Sequence, residues 1–439
     1  MTVFPDRFIN KNRTLTKIYR ILKKYIPLYI QKATDMKLIH TSDWHLGHTL
    51  YNYDRTEEQQ AFLQQLAEIV EREQPDALLV SGDIYHYSSP SASVQKMYTE
   101  AMLEIHRRCP SMTIVVTAGN HDSSSKLEIT QRLWESFGLH VVGSIQREEE
   151  TIQWSRHIIE VTGKDGRPVG YILPVPHVYP QNFPSPDPEM KREERMPYFF
   201  QTLLDETKRI NTAGLPVVLM AHLAVTGSDT TGHTDLIGGM DYFPLNQLGT
   251  GYDYLALGHI HCPQTLKGSD GRARYCGTPY PVSFDETYPH SVSLVTVEPG
   301  KQPEIQIIRI ENPWPCLTLP PEPLPFEEAL QQLKDFPDDR QAYIRLNVLA
   351  ENYLSPDCQE RASEVTRGKA CRYCYIKLNR LQKESNEEQP HLSIQELKQQ
   401  SPLEIARRYY QETTGESMDD ELSLLLQEAM NQIHSSANE

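Results

Sequence analysis

Five short apolar runs, each breaking off into Asp, Asn or His, constrain this chain more than any other feature in it. The stretch Lys37-Leu38-Ile39-His40-Thr41-Ser42 leads into Asp43-Trp44-His45-Leu46-Gly47. Ala77-Leu78-Leu79-Val80 leads into Ser81-Gly82-Asp83, and Thr113-Ile114-Val115-Val116-Thr117 into Ala118-Gly119-Asn120-His121-Asp122. Val217 to Ala221 ends in His222, and Tyr254 to Leu257 in Gly258-His259-Ile260-His261. Strands apolar at nearly every position belong to sheets covered on both faces, and such sheets carry active sites at the carboxyl ends of their strands. An α/β chain with a site assembled from strand ends is therefore expected.

The residues at those ends have a common chemistry. Asp43 and His45, two apart on an extended segment, project to one side, and Gly47 lets the backbone turn away from them. Asp43, His45, Asp83, Asn120, His222, His259 and His261 together offer carboxylate, carbonyl and imidazole donors and no thiolate. A single Zn²⁺ takes about four ligands, often with sulfur, whereas seven oxygen and nitrogen donors fit a pair of ions about 3.5–4 Å apart. The softness of the donors favours Mn²⁺, with Mg²⁺, Fe²⁺ or Zn²⁺ as alternatives.

The order and spacing of the five blocks resemble the calcineurin-like metallophosphoesterases. Around them, His40 to Gly47, Ala256 to His261, Cys276-Gly277-Thr278-Pro279 and Ser283-Phe284-Asp285-Glu286 are similar to the SbcD-type nuclease family. The resemblance implies a four-layer β-sandwich flanked by helices and hydrolysis of phosphodiesters assisted by two cations. Asp43, His45 and His261 would hold one cation, Asn120, His222 and His259 the other, and Asp83 would bridge. It further implies His121 as the group that positions the phosphate and protonates the leaving oxygen, a role suited to histidine. Asp122 would orient that imidazole. His86, close behind Asp83, is a further catalytic candidate beside the alternative of a solvent-facing histidine. The implied substrates are double-stranded DNA ends and hairpins, in DNA repair and recombination. The implied assembly is a homodimer within a heterotetramer with an SbcC-like coiled-coil ATPase. A small-molecule phosphodiesterase or phosphatase with the same metals is the competing reading.

Composition sets bounds on this picture. With 43 basic and 59 acidic residues the net charge is −16, so DNA phosphates would have to be met by a local basic surface, by the metals or by a partner. Seven scattered cysteines point to a reducing cytoplasmic compartment, with the nucleoid implied by the substrate. Cys371 and Cys374, three apart in an apparent strand, face opposite sides and read as structural. Residues 1–35 form a basic extension with eight Lys and Arg against two Asp. Helical spacing of Leu15, Ile18, Tyr19, Leu22, Tyr25 and Ile26 allows an amphipathic helix there, but a dispensable tail or a misplaced start is favoured. No stretch is apolar enough to span a bilayer, and no membrane partner is expected.

The catalytic domain is expected over 36–311. Thr56-Glu57-Glu58-Gln59 has the form of a capping box, with Phe62, Leu66, Ile69 and Val70 on the buried face of the helix that follows. The Pro-rich run from Pro313 to Pro325 reads as a linker, opening a small α/β capping domain over 312–385 built from strands near 343–348 and 373–378 and a helix near 356–367. Its Arg345, Arg372, Lys377 and Arg380 would either meet phosphate or lie on a solvated sheet face. Residues 386–439 are expected to form helices that grip the ATPase, the first capped by Ser401-Pro402-Leu403-Glu404 and ended by Gly415. The second would be capped by Ser417, with a stripe of Leu422, Leu425, Leu426, Ala429 and Ile433.

Overall fold

The computed structural model describes residues 35–380, except 149–150, 188, 234–240 and 352–353, together with part of 403–426. The basic extension over 1–34, the Ser401–Glu404 cap apart from Leu403, Gly415, Ala429 and Ile433 lie outside the described residues. The chain divides into two units, 1–380 and 381–439.

The first unit begins with β1 (Met36–Thr41), α1 (Thr56–Glu73), β2 (Ala77–Ser81), α2 (Ala92–Arg108), β3 (Thr113–Thr117) and β4 (Leu139–Val142). The four strands are parallel neighbours in that order, with Thr41 opposite Val80 and Ser81 opposite Thr117. A second sheet follows from β5 (Ile159–Thr162), β6 (Pro168–Pro174), α3 (Arg192–Ile210), β7 (Val217–His222), β8 (Tyr254–Gly258), β9 (Gln264–Thr265) and β10 (Ala273–Tyr275). Its order is β9-β10-β8-β7-β6-β5, with β6, β7, β8 and β10 mutually parallel. The chain then returns to the first sheet, where β11 (Ser291–Val297) pairs antiparallel with β1 and β12 (Glu304–Arg309) forms the edge.

Strand alternation explains how four layers stack. Leu38, Leu79 and Val115 of the first sheet meet Ile172, Val218, Met220 and Ala256 of the second between the sheets. The intervening residues Ile39, Leu78, Val80 and Val116 face α1 and α2, while Leu219, Ala221 and Leu255 face α3. Both faces of each central strand are thus buried, which is why these runs are apolar throughout. Phe62, Leu66, Ile69 and Val70 of α1 are buried as expected, about 8 kcal/mol of apolar burial as an upper estimate. The capping box is not formed. Thr56 is the first helical residue, the cap position belongs to Arg55, and Thr56 Oγ1 and N both donate to the Asp54 carboxylate. Arg55 is held instead by tertiary contacts: its buried guanidinium pairs with Glu58 and donates to the Pro281 carbonyl.

The Pro-rich run read as a linker is a strand. β13 (Cys316–Leu324), α4 (Phe326–Lys334), β14 (Tyr343–Ala350), α5 (Cys358–Val365) and β15 (Arg372–Arg380) make a three-stranded parallel sheet with its own core. β13 lies at the edge, where prolines lose no ladder hydrogen bond. This unit seats on the loops beyond the first sheet: Tyr343 packs with Leu50, Phe284 and Trp314, and Tyr53 Oη donates to the Tyr373 carbonyl. Arg345 and Arg372 belong to that seam, and neither lies on a solvated sheet face. Arg345 donates to Asp285 and Thr318, and Arg372 stacks 3.8 Å over Trp314 while donating to the Asp54 carbonyl. Cys371 falls in the core of this sheet and Cys374 on the seam side, both as free thiols.

In the second unit, Leu422 N donates to Asp419 Oδ1 at 2.7 Å and Ser423 N to the Asp419 carbonyl, so Asp419 takes the capping role expected of Ser417. Among the described residues no helix is long and apolar enough to cross a membrane.

Candidate metal centre

The carboxyl ends of β1, β2 and β3 from one sheet and of β7 and β8 from the other converge on one cleft, lined by His45, Asp83, Asn120, His259 and His261 with His86 and His121, while the buried Asp43 and His222 complete the clusters of expected ligands. Packing the strand ends this closely leaves no space at two glycines. A Cβ on Gly119 would lie 2.0 Å from Asp83 Oδ1, and one on Gly258 1.9 Å from the Ser81 carbonyl. Asp43, His45, Asp83 and His259 all have positive φ, at 53°, 44°, 52° and 98°. Such backbone is costly for residues with side chains and persists where surrounding contacts over-determine it, as at functional sites. Here those contacts are backbone bonds between the loops, Asp43 N to the Gly82 carbonyl and His45 N to the Asp83 carbonyl.

Each carboxylate is anchored by one backbone donor. His259 N donates to Asp43 Oδ1 at 3.0 Å, and His121 N to Asp83 Oδ1 at 2.9 Å. The other Asp83 oxygen lies 3.4 Å from His222 Nε2 and 3.8 Å from His45 Nε2, between the two halves of the site. In one half, Asp43, His45 and His261 cluster, with the two imidazole Nε2 atoms 3.2 Å apart. In the other, Asn120 Oδ1 is 3.0 Å from His222 Nε2 and 2.9 Å from His259 Nδ1, and Asp83, His222 and His259 form a second cluster.

The donor set fits divalent cations. Ligands about 2.0–2.1 Å from an octahedral ion stand about 3 Å apart along an edge, close to the separations here. The ring orientations are fixed for it as well. His222 Nδ1 donates to the Ser81 carbonyl at 2.8 Å and His261 Nδ1 faces Glu286 Oε1 at 2.9 Å, so both rings turn Nε2 toward the centre. The electrostatics point the same way. Burial opposes charge on His222, yet Asp83 and Asp43 overcome it and push its pKa up to about 9. His261 is likewise raised against its burial by Glu286 and the two aspartates, and Asp83 is held well below the usual carboxylate range by His222, His45 and His121 despite burial. A site that draws positive charge so strongly would exchange those protons for cations, releasing them on binding.

His121 and His86 stand beside this centre. His121 Nδ1 donates to the His86 carbonyl at 2.8 Å, and its ring lies edge-on to His45 at 4.9 Å. The His86 ring stacks on His121 and brings its Nδ1 to 3.4 Å from His45 Nδ1. Asp122 does not orient His121. Its carboxylate accepts from the backbone N–H groups of Gly119, Ile84 and Tyr85, clamping the loops after β2 and β3 together. Burial, with Asp83 nearby, pushes its pKa up to about 7 against those bonds.

Three residues of the site escape a reading of the sequence. Glu286 is buried and also accepts from Thr278 Oγ1 at 2.7 Å and Val282 N at 3.3 Å. It lies in the Ser283–Glu286 word but 25 residues from His261. His48 lines the cleft and follows directly on Asp43-x-His45-x-Gly47. His177 lines the opposite wall and donates from Nδ1 to the His222 carbonyl at 3.3 Å, with no local signal to announce it.

Comparison with known proteins agrees with this geometry. Residues 36–263 match the calcineurin-like phosphoesterase family, and residues 317–414 match the family described as Type 5 capsule protein repressor C-terminal domain. The chain is 35% identical over 302 residues to the D subunit of nuclease SbcCD from Rhodobacter capsulatus, covering 66% of this chain and 74% of that one. It is 28% identical over 360 residues to the protein of the same name from Escherichia coli, covering 80% and 86%. The Bacillus subtilis protein, again of that name, is 28% identical over 393 residues, covering 88% and 95%.

Proposed function

From a chain that belongs to the calcineurin-like phosphoesterases, and within them to the family of SbcCD nuclease D subunits, we propose a metal-dependent DNA nuclease that hydrolyses phosphodiesters as the partner of an SbcC-like ATPase. The observation that carries this reading is the completeness of the candidate ligand set, seven donors from two sheets in two clusters, with Asp83 Oδ2 between His222 and His45. Asp43, His45 and His261 would hold one divalent cation and Asn120, His222 and His259 the other, with Asp83 shared. Mn²⁺ is the favoured ion on donor chemistry. When bound, the pair supplies neutralisation of phosphodiester oxygens and a lowered pKa for an attacking water.

The chain's own groups do the rest. His121, tethered through Nδ1, presents Nε2 to the leaving 3′ oxygen and hands it a proton. His86 fixes His121 from both carbonyl and ring. The sheet of β13 to β15, seated beside the cleft, would limit which DNA ends and hairpins enter. The chain would work as a homodimer within a heterotetramer with the ATPase. The segment over 386–439 would bind the coiled-coil base of the ATPase, in the cytoplasm at the nucleoid.

The test is Mn²⁺-dependent cleavage of linear and hairpin duplex DNA by the full chain, alone and with its ATPase, beside Asp83→Ala and with small phosphodiesters in parallel. Asp83→Ala is expected to lose both cleavage and one or more metal equivalents. Inert DNA with rapid turnover of a small phosphodiester would replace the nuclease reading with a small-molecule one.

A further inference from the structure

Next to the metal ligands the cleft wall carries His48, an imidazole that neither the ligand set nor the proton donor accounts for. Its surroundings fix its protonation. Arg55, 1% exposed, is locked by the Glu58 ion pair, by the bond to the Pro281 carbonyl and by the rings of Tyr280 and Tyr343. Its Nη1 lies 3.3 Å from His48 Nδ1. A guanidinium only donates, so His48 Nδ1 must accept, and the neutral ring then carries its single proton on Nε2. His48 is therefore a fixed N–H donor on the wall of the cleft. Its backbone is tied in too, His48 N donating to the His45 carbonyl at 2.9 Å.

We propose that His48 is a phosphate-binding residue, its Nε2–H donating to a non-bridging phosphate oxygen of the nucleic-acid strand bound across the metal centre. A neutral donor held by a buried cation offers a hydrogen bond to a phosphodiester without a mobile charge of its own, and hydrogen bonds of this kind to phosphate set the register of a strand. The competing role for His48 is purely structural, its ring packing edge-on against His86 at 4.6 Å.

The inference rests on the nuclease reading, and three substitutions in the full chain separate the roles. Gln retains both functions of the neutral ring, an acceptor for Arg55 and an N–H for phosphate. Phe retains the edge packing and loses both, and Ala loses ring and donor alike. Binding of a fluorescent single-stranded oligonucleotide would be followed by anisotropy with Ca²⁺ in place of Mn²⁺. His48→Phe and His48→Ala are expected to weaken binding about tenfold and His48→Gln by less than about threefold, with the loss in cleavage falling on KM more than on kcat. Methylphosphonate linkages placed one at a time along the oligonucleotide provide the second readout. At the contacted linkage the wild type loses affinity and the Phe variant loses no more, whereas additive losses at every linkage overturn the proposal. Phe binding as tightly as wild type, or Gln as weakly as Phe, assigns His48 to structure and also overturns it. Wild-type protein that neither binds nor cleaves DNA removes the nuclease reading and this inference with it.

Discussion

Replacing Glu286 by Gln tests how far the metal centre depends on a group outside its ligands. The buried carboxylate accepts three hydrogen bonds, from His261 Nδ1 at 2.9 Å on one oxygen and from Thr278 Oγ1 at 2.7 Å and Val282 N at 3.3 Å on the other. A glutamine amide of the same shape cannot accept all three. With its oxygen toward His261, the amide N–H₂ opposes Val282 N–H and leaves a buried donor unmatched, a cost of about 1–3 kcal/mol in stability. With its oxygen toward Val282, the amide N–H₂ faces His261 and forces the tautomer whose proton sits on Nε2, the nitrogen needed for the cation. Loss of an outer partner of this kind lowers metal affinity or activity about 10–100-fold, equivalent to about 1.4–2.7 kcal/mol. A Mn²⁺ titration followed by the EPR signal of free ion should show two classes of site in the wild type. In Glu286→Gln the one held by Asp43, His45 and His261 should weaken by that factor while the other is unchanged. Two unaltered affinities with cleavage within about twofold of wild type would refute the argument, because they would mean that His261 keeps its orientation without Glu286.

Two further outcomes follow from the same packing. Gly119→Ala sets a Cβ 2.0 Å from Asp83 Oδ1 and 2.3 Å from Asp83 N, backbone that cannot yield, so cleavage should fall at least about a hundredfold while far-UV circular dichroism is unchanged; retention of a tenth or more of the activity would show that the loops have slack. His157 is buried with Nδ1 donating to the Pro174 carbonyl, and burial lowers its pKa to about 4. The unfolded chain, with a pKa near 6.5, therefore binds the extra proton between pH 6.5 and 4, and stability is lost as pH falls through that window, by about 2 kcal/mol at pH 5. His157→Gln keeps the donor without the titration, so urea midpoints at pH 7 and pH 5 should differ less in the variant by about that amount; an identical pH dependence would sink the assignment.

Much of the centre was legible because its information is local. Each candidate ligand follows closely on an apolar run, and the alternation that buries Leu38 between the sheets and Ile39 under α1 is written in the same few positions. Where a local pattern had more than one physical solution, it misled. Thr56-Glu57-Glu58-Gln59 has the residues of a capping box, but Asp54 engages the threonine and Arg55 takes the cap, its side chain drawn to Glu58, Pro281 and the ring of Tyr343. Pro313 to Pro325 has the composition of a linker, yet edge position makes proline compatible with a strand. Asp122 adjoins His121 in sequence, and its carboxylate instead satisfies three orphan backbone donors in two loops.

By itself the sequence determined the strand ends, the donor side chains at them and the order in which they occur, since backbone preference and side-chain periodicity act over a few residues. Only the tertiary structure decided which Nε2 faces the centre, which carboxylate lies between the two halves, and that Glu286, His48 and His177 belong to the same site. Those choices are made by hydrogen bonds and steric contacts between segments 25 to more than 200 residues apart, and no local pattern carries a contact that exists only after the sheets have packed.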